Sequence, residues 1–210
     1  MTPRKRETER FRQLIEAHLD ELYTYASREL DYLIALGAIP EGAVSPQDIV
    51  DQAILEAWER RDKRPPGLSE RAWLYGAVRR ALARVARQYA LEPADVSLED
   101  VVPDPEIDSQ FWAYWEPDKV ETWEDVVPEE TIDVEGDALT EMDVEILEHE
   151  LRQLPRFQRE AFQLYLVHDL PLLEVARLLN ASPQAVRKAA EEARLRLYNA
   201  LQTYRRGGAQ

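Results

Sequence analysis

The chain has 210 residues, 45% of them hydrophobic, which is enough for one or two small domains that each bury a core. It has no cysteine, which excludes disulfides, a thiolate metal site and a cysteine nucleophile. The net charge of −15 belongs to the middle of the chain. Residues 1–90 carry 15 Lys/Arg against 14 Asp/Glu, residues 91–150 one lysine against 22 acids, and residues 151–210 10 Lys/Arg against 5 acids. Mean acidity therefore says little about what either end binds. Met1-Thr2-Pro3-Arg4-Lys5-Arg6 runs straight into charge with no apolar signal core, and no apolar run approaches a membrane span, so a soluble cytoplasmic protein is expected.

The first block reads as helices. Phe11, Leu14, Ile15, Leu19, Leu22, Tyr23, Ala26, Leu30, Leu33 and Ile34 recur at steps of three and four, and Gly37 and Pro40 end that helix. Ser45-Pro46 caps a second helix with Asp48 in its first turn, carrying Ile49, Ala53, Leu55, Ala57 and Trp58. Pro65-Pro66-Gly67 is a loop, and Ser69 caps a third helix with Trp73, Leu74, Ala77, Val78, Ala81, Leu82 and Val85 on its apolar side. Arg71, Arg79, Arg80, Arg84 and Arg87 mark its other side, with no acid between Arg71 and Gln88. Such a stripe is either a solvated face or a phosphate-binding one, and phosphate contact is the reading taken here. Trp73 shares the apolar period and reads as core, while Tyr75 is open between core and base stacking.

Over residues 91–139 the helical period breaks and prolines recur at 93, 103, 105, 117 and 128. This is a long acidic linker with Trp112, Tyr114, Trp115 and Trp123. It holds a weak repeat, Leu98-Glu99-Asp100-Val101-Val102-Pro103 and Trp123-Glu124-Asp125-Val126-Val127-Pro128. Three readings stand: a self-repelling spacer, a mimic of nucleic acid in a basic channel, or a strap over the chain's own basic faces.

Helices resume at Thr140, near 141–153, 156–167, 171–179 and 183–203. The short apolar run Leu172–Leu179 is followed by Asn180-Ala181-Ser182-Pro183 and a long polar helix. Ser182 is its N-cap, and Pro183 suits the first helical turn. That is the layout of a helix-turn-helix, whose last helix enters a DNA major groove. Gln184, Arg187, Lys188 and Arg194 are the base- and phosphate-reaching candidates on it. Glu191 and Glu192 oppose phosphate contact and leave open a bundle that binds protein instead.

His18, His149 and His168 share no motif and read as surface or partly buried structural histidines. Glu129-Glu130 lacks calcium-loop spacing, and no phosphate-cradling glycine loop or nucleophile–base pair is present. No enzyme, cofactor or metal site is expected.

Both ends resemble one family, the bacterial RNA polymerase sigma factors, and most of all the small extracytoplasmic-function type of the sigma-70 family. The first resemblance lies in Asp48-Ile49-Val50-Asp51-Gln52-Ala53-Ile54-Leu55-Glu56-Ala57-Trp58 and in Arg71-Ala72-Trp73-Leu74-Tyr75-Gly76-Ala77-Val78-Arg79-Arg80. The second lies in Leu154-Pro155 through Arg159-Glu160, Glu174-Val175-Ala176-Arg177-Leu178-Leu179 and Val186-Arg187-Lys188. The resemblance implies an all-α chain of two small helical domains: a region 2-like domain over 1–90, the linker over 91–139, and a region 4-like helix-turn-helix unit of four helices over 140–210. It implies core RNA polymerase and promoter DNA as partners, and it admits an anti-sigma factor. Asp48, Asp51 and Gln52 would then meet the polymerase clamp; Lys63, Arg64, Tyr75, Arg79, Arg80, Arg84 and Arg87 the −10 DNA; and Gln184, Arg187, Lys188 and Arg194 the −35 DNA. The alternative is a sigma-like interaction protein that binds polymerase or a regulator without −35 recognition.

Overall fold

The computed structural model describes residues 3–89 and 140–207, and the linker readings, with their tryptophans, lie outside these residues. The described residues are all helical apart from turns and loops. The elements are α1 (Pro3–Ala35), α2 (Pro46–Glu59), a 3-10 turn (Arg61–Lys63), α3 (Glu70–Tyr89), α4 (Glu141–Arg152), α5 (Arg156–Ala161), α6 (Leu172–Leu178) and α7 (Pro183–Gly207). Helix α5 runs on into a π-helical turn, Phe162–Val167.

The expected stops and caps are formed. Gly37 takes φ +71°, donates to the Ile34 carbonyl, and so closes the last turn of α1 in a conformation that only glycine adopts cheaply. Ser45 and Asp48 make a full capping box on α2, and Thr140 and Asp143 make the same box on α4. Ser182 Oγ accepts from the Ala185 amide, and Asn180, at φ +51°, makes the turn between α6 and α7. Asparagine is among the few side chains that tolerate this left-handed region. One boundary differs from the periodicity. Helix α1 starts at Pro3, well before Phe11, and its early turns meet the 3-10 turn and α3 through the ion pairs Glu7–Arg61 and Arg10–Glu70 rather than through apolar contacts.

Helices α1, α2 and α3 pack around Leu22, Tyr25, Leu30, Ile49, Val50, Ala53, Leu74, Val78 and Leu82. In the same continuous core lie Ala161, Leu164, Leu170, Val175, Val186 and Ala190 from the C-terminal half. A second, smaller core of Leu151, Leu154, Ala193 and Leu197 joins α4 to α7. Helix α3 is the shared wall: α1 and α2 cover one side and α6 the other.

Candidate polymerase and nucleic-acid interfaces

Helix α2 buries Ile49, Val50, Ala53, Glu56 and Ala57. The opposite side leaves Asp48, Asp51, Gln52, Leu55 and Glu59 in solvent. This places the three expected polymerase-facing residues on one face. Asp48 also closes the capping box: its carboxylate accepts from the Ser45 hydroxyl at 2.6 Å and the Ser45 amide at 3.0 Å. These bonds, the hydroxyl first, hold its carboxyl below the usual aspartate value. Leu55 sits among the acids and is 58% exposed. The periodicity had counted it with the apolar positions of α2, and only the packing shows that it faces outward.

The basic stripe of α3 is arranged differently from the outward face that its sequence suggests. Every residue from Ala72 to Arg79 is buried. Trp73 is core, 7% exposed, and its indole N–H donates to the Ala57 carbonyl at 3.2 Å. Tyr75 is fully buried, packed edge-on to Tyr25 and against His168, with its hydroxyl donating to Glu21 at 3.2 Å. It cannot stack on a base in this arrangement. Arg79 points inward, where it pairs with Glu160 at 3.0 Å and donates to the Leu178 carbonyl. Arg80 and Arg84 both grip Glu56 across the α2–α3 interface, and the Arg80 guanidinium lies over the Trp73 ring, 4.5 Å from its centroid. Burial raises the Glu56 carboxyl, but these two arginines outweigh it and hold the carboxyl below the ordinary glutamate value. Arg87 and Lys63 are exposed, and Arg64 donates to the Leu68 carbonyl. Of the cations expected to meet −10 DNA, Lys63, Arg84 and Arg87 thus face outward, with Arg80 partly covered.

On α7 the buried side is Val186, Ala189, Ala190, Ala193, Leu197 and Leu201. Gln184 and Lys188 are exposed, and Arg187 and Arg194 are half-buried. Glu191 and Glu192 are exposed as well, and Glu192 lies 3.9 Å from Lys188 and accepts from Gln158 at 2.9 Å. The outer face of the last helix therefore mixes cations and carboxylates.

His168 sits at the turn after the π-helical segment and is buried beside Tyr25 and Tyr75. Burial first, then the nearby Arg28 and Arg71, lower its pKa to about 4, against the opposing pull of Glu21. A histidine with a lowered native pKa stabilises its packed state above the free value near 6.5, and that stability is lost as pH falls toward 4. The thermal midpoint should therefore drop between these pH values, by the equivalent of at most ~3 kcal/mol. A His168→Gln chain should lose most of that slope; parallel melting curves for the two proteins would refute the assignment.

Among the described residues, no group of three or more His, Cys, Asp or Glu could hold a metal ion. No helix there is long and apolar enough to cross a membrane.

Residues 145–197, which run from α4 through the helix-turn-helix into α7, match the family described as Sigma-70, region 4. The fold of the whole chain is also that of solved sigma factors. The sigma factor RpoE, in a co-crystal with the anti-sigma factor NepR from Bartonella quintana, is similar at 18% identity over 92% of this chain and 98% of that one, with a TM-score of 0.55. CnrH, in complex with the cytosolic domain of CnrY, is similar at 19% identity over 93% and 90%, with a TM-score of 0.53. A search of curated protein sequences finds no match. The region 4 match covers a quarter of the chain, within its C-terminal half, and the likeness over the N-terminal helices is one of fold. Both accord with the sigma-factor resemblance of the sequence and with an all-α chain.

Proposed function

We propose that this protein is a sigma factor: a dissociable subunit that brings core RNA polymerase to promoters and starts transcription. The observation that carries the reading is the region 4 match, which falls on a helix-turn-helix whose third helix leaves Gln184 and Lys188 in solvent. The fold over nine-tenths of the chain supports it. In this reading the acidic α2 face, with Asp48, Asp51 and Gln52, meets basic groups of the polymerase clamp. Lys63, Arg64, Tyr75, Arg79, Arg80, Arg84 and Arg87 serve −10 DNA, those that are buried doing so only after rearrangement, and Gln184, Arg187, Lys188 and Arg194 serve −35 DNA. The protein acts by binding, and it works in the cytoplasm, where the polymerase is. RpoE is held by an anti-sigma factor, and a regulator of that kind suits this chain too.

Run-off transcription with core polymerase on a genomic promoter library tests the reading. Promoter-dependent transcripts are expected, and the chain should co-purify with core enzyme. Promoter affinity should be strongly salt-dependent, falling roughly 10³-fold from about 50 to about 200 mM salt if about six phosphates are contacted. A chain that neither binds core enzyme nor yields transcripts is not a sigma factor. The exposed Glu191 and Glu192 favour the second reading, an interaction protein that binds polymerase without reading the −35 element. Tight core binding with no promoter selection would establish that reading instead.

A further inference from the structure

Carboxylates of the N-terminal half meet their cations in two ways. Glu29 of α1 takes Arg159 of α5 at 2.9 Å, and both side chains are buried, so that pair shows no charge to solvent. Glu56 sits where α2 faces α3, is itself buried, and takes two arginines one turn apart on α3. Arg80 Nε donates to one carboxylate oxygen at 2.6 Å, and Arg84 Nη2 donates to the other. One carboxylate cancels one guanidinium, so the trio leaves a single positive charge where the two arginines alone would leave a pair.

The two arginines are not equivalent. The Arg80 side chain is 19% exposed, lies over the Trp73 ring, and has a buried nitrogen, Nη2, with no hydrogen-bond partner among the described residues. It is fixed inside the α2–α3 contact. The Arg84 side chain is 45% exposed and anchored through one nitrogen, so much of its guanidinium lies at the surface. Almost one turn further on, Arg87 is exposed and donates to the Ala83 carbonyl, with no carboxylate on it among the described residues. The exposed edge of α3 therefore bears one arginine that a carboxylate restrains and one that none does.

Binding to a phosphate backbone depends on how many cations a protein can bring to it. Each adds roughly 0.7 to the steepness of log affinity against log salt for a single strand, whatever the sequence. An arginine that already holds a carboxylate meets a phosphate with its charge largely cancelled, and it must break or share a charge-assisted hydrogen bond to do so. Burial would raise the Glu56 carboxyl, but the two arginines outweigh it, so the group stays ionised at neutral pH. Contacts to base edges carry the sequence information, and backbone contacts do not, so the loss falls on sequence-independent binding.

We propose that Glu56 is a positioning residue that acts on DNA binding through its two arginines: it keeps Arg84 against α2 and withholds one positive charge from the exposed edge of α3, lowering affinity for a phosphate backbone of any sequence. The inference rests on the assignment of α3 to promoter DNA, which Arg87 tests by itself.

Fluorescence anisotropy of the full chain on a random-sequence DNA single strand of about 30 nucleotides, titrated over salt, gives both affinity and slope. Glu56→Gln keeps the shape and removes the charge. It should raise affinity about fivefold to tenfold near about 50 mM salt and steepen the slope by roughly 0.7. Glu56→Met, neutral and of similar length, should do the same, and it carries the test if the amide variant does not fold. Glu56→Asp keeps the charge on a shorter stem and should stay near the unmodified chain in affinity and slope, even where its melting temperature falls. A purely structural Glu56 would lower stability in these variants and steepen the slope in none. Unchanged or weaker binding in every folded neutral variant would overturn the proposal, and so would tightening by Glu56→Asp equal to that by Glu56→Gln. Arg87→Gln should weaken binding and flatten the slope by roughly 0.7. If it changes nothing, the assignment of α3 to DNA fails; if it weakens binding while the neutral Glu56 variants bind no tighter, only the role of Glu56 fails.

Discussion

Replacing Trp73 by alanine should cost about 3–5 kcal/mol and unfold the N-terminal half at moderate temperature. The ring is almost wholly buried between α2 and α3, donates to the Ala57 carbonyl, and lies under the Arg80 guanidinium. Alanine deletes the largest side chain of that core, removes the side-chain donor to the Ala57 carbonyl, and leaves a cavity that the rigid α2–α3 contact fills only in part. Trp73→Phe keeps most of the volume and loses the N–H donor, so its cost should be nearer 1–2 kcal/mol, on the order of one hydrogen bond plus imperfect packing. Chemical denaturation monitored by circular dichroism measures both. The experiment also separates two roles that the sequence alone allows for this residue. A Trp73→Ala chain with unchanged stability and weakened DNA binding would make Trp73 a base-stacking residue and not a core one.

A second large effect is expected on the exposed side of α2. The double substitution Asp51→Lys with Leu55→Ala should weaken binding of core polymerase about 30–100-fold, which is ~2–3 kcal/mol, while leaving the melting temperature within a degree or two. The reasoning is local. Asp51 is exposed and contributes charge that a basic clamp surface would meet, and Leu55 is the one large apolar side chain among Asp48, Asp51, Gln52 and Glu59. An apolar side chain ringed by acids, with no packing duty inside its own half, is what a protein-binding face presents at its centre. Asp48 is a poorer choice for this test, since its carboxylate also caps α2 and its loss would confuse affinity with stability. Equilibrium titration of labelled protein with core enzyme gives the number, and undiminished affinity would remove α2 from the polymerase interface.

Arg79 shows where sequence reasoning stops. In the chain it is one of five arginines on a helix with an apolar opposite side, and a charged stripe of that kind is ordinarily solvated. Its partner, Glu160, is 81 positions away, so no spacing rule connects the two. Tyr75 is the same case. Its neighbours Tyr25 and His168 come from α1 and from the turn after α5, and only their convergence closes the site around the ring. Gly76 gave no signal of its own until Leu178 was found against it. The long row of small residues in α3, Ala72, Gly76, Ala77 and Ala81, fits a helix approached from two sides, a sign that the apolar period by itself does not report.

What was legible in the sequence was local. Ser45-Pro46, Ser182-Pro183, Thr140 with Asp143, Gly37 and the three- and four-residue steps of the apolar positions determined where helices begin, end and turn, because capping and amphipathicity act over one or two turns of chain. The same local chemistry marked the helix-turn-helix and the acidic outer side of α2. Tertiary structure alone decided which of α3's arginines face water, that Leu55 faces outward, that Glu56 draws Arg80 and Arg84 to itself, and that α5 locks onto α1 and α3. Those outcomes depend on burial and on charge pairs between residues distant in the chain, and a charge can be read in a sequence without any indication of which opposite charge it will meet.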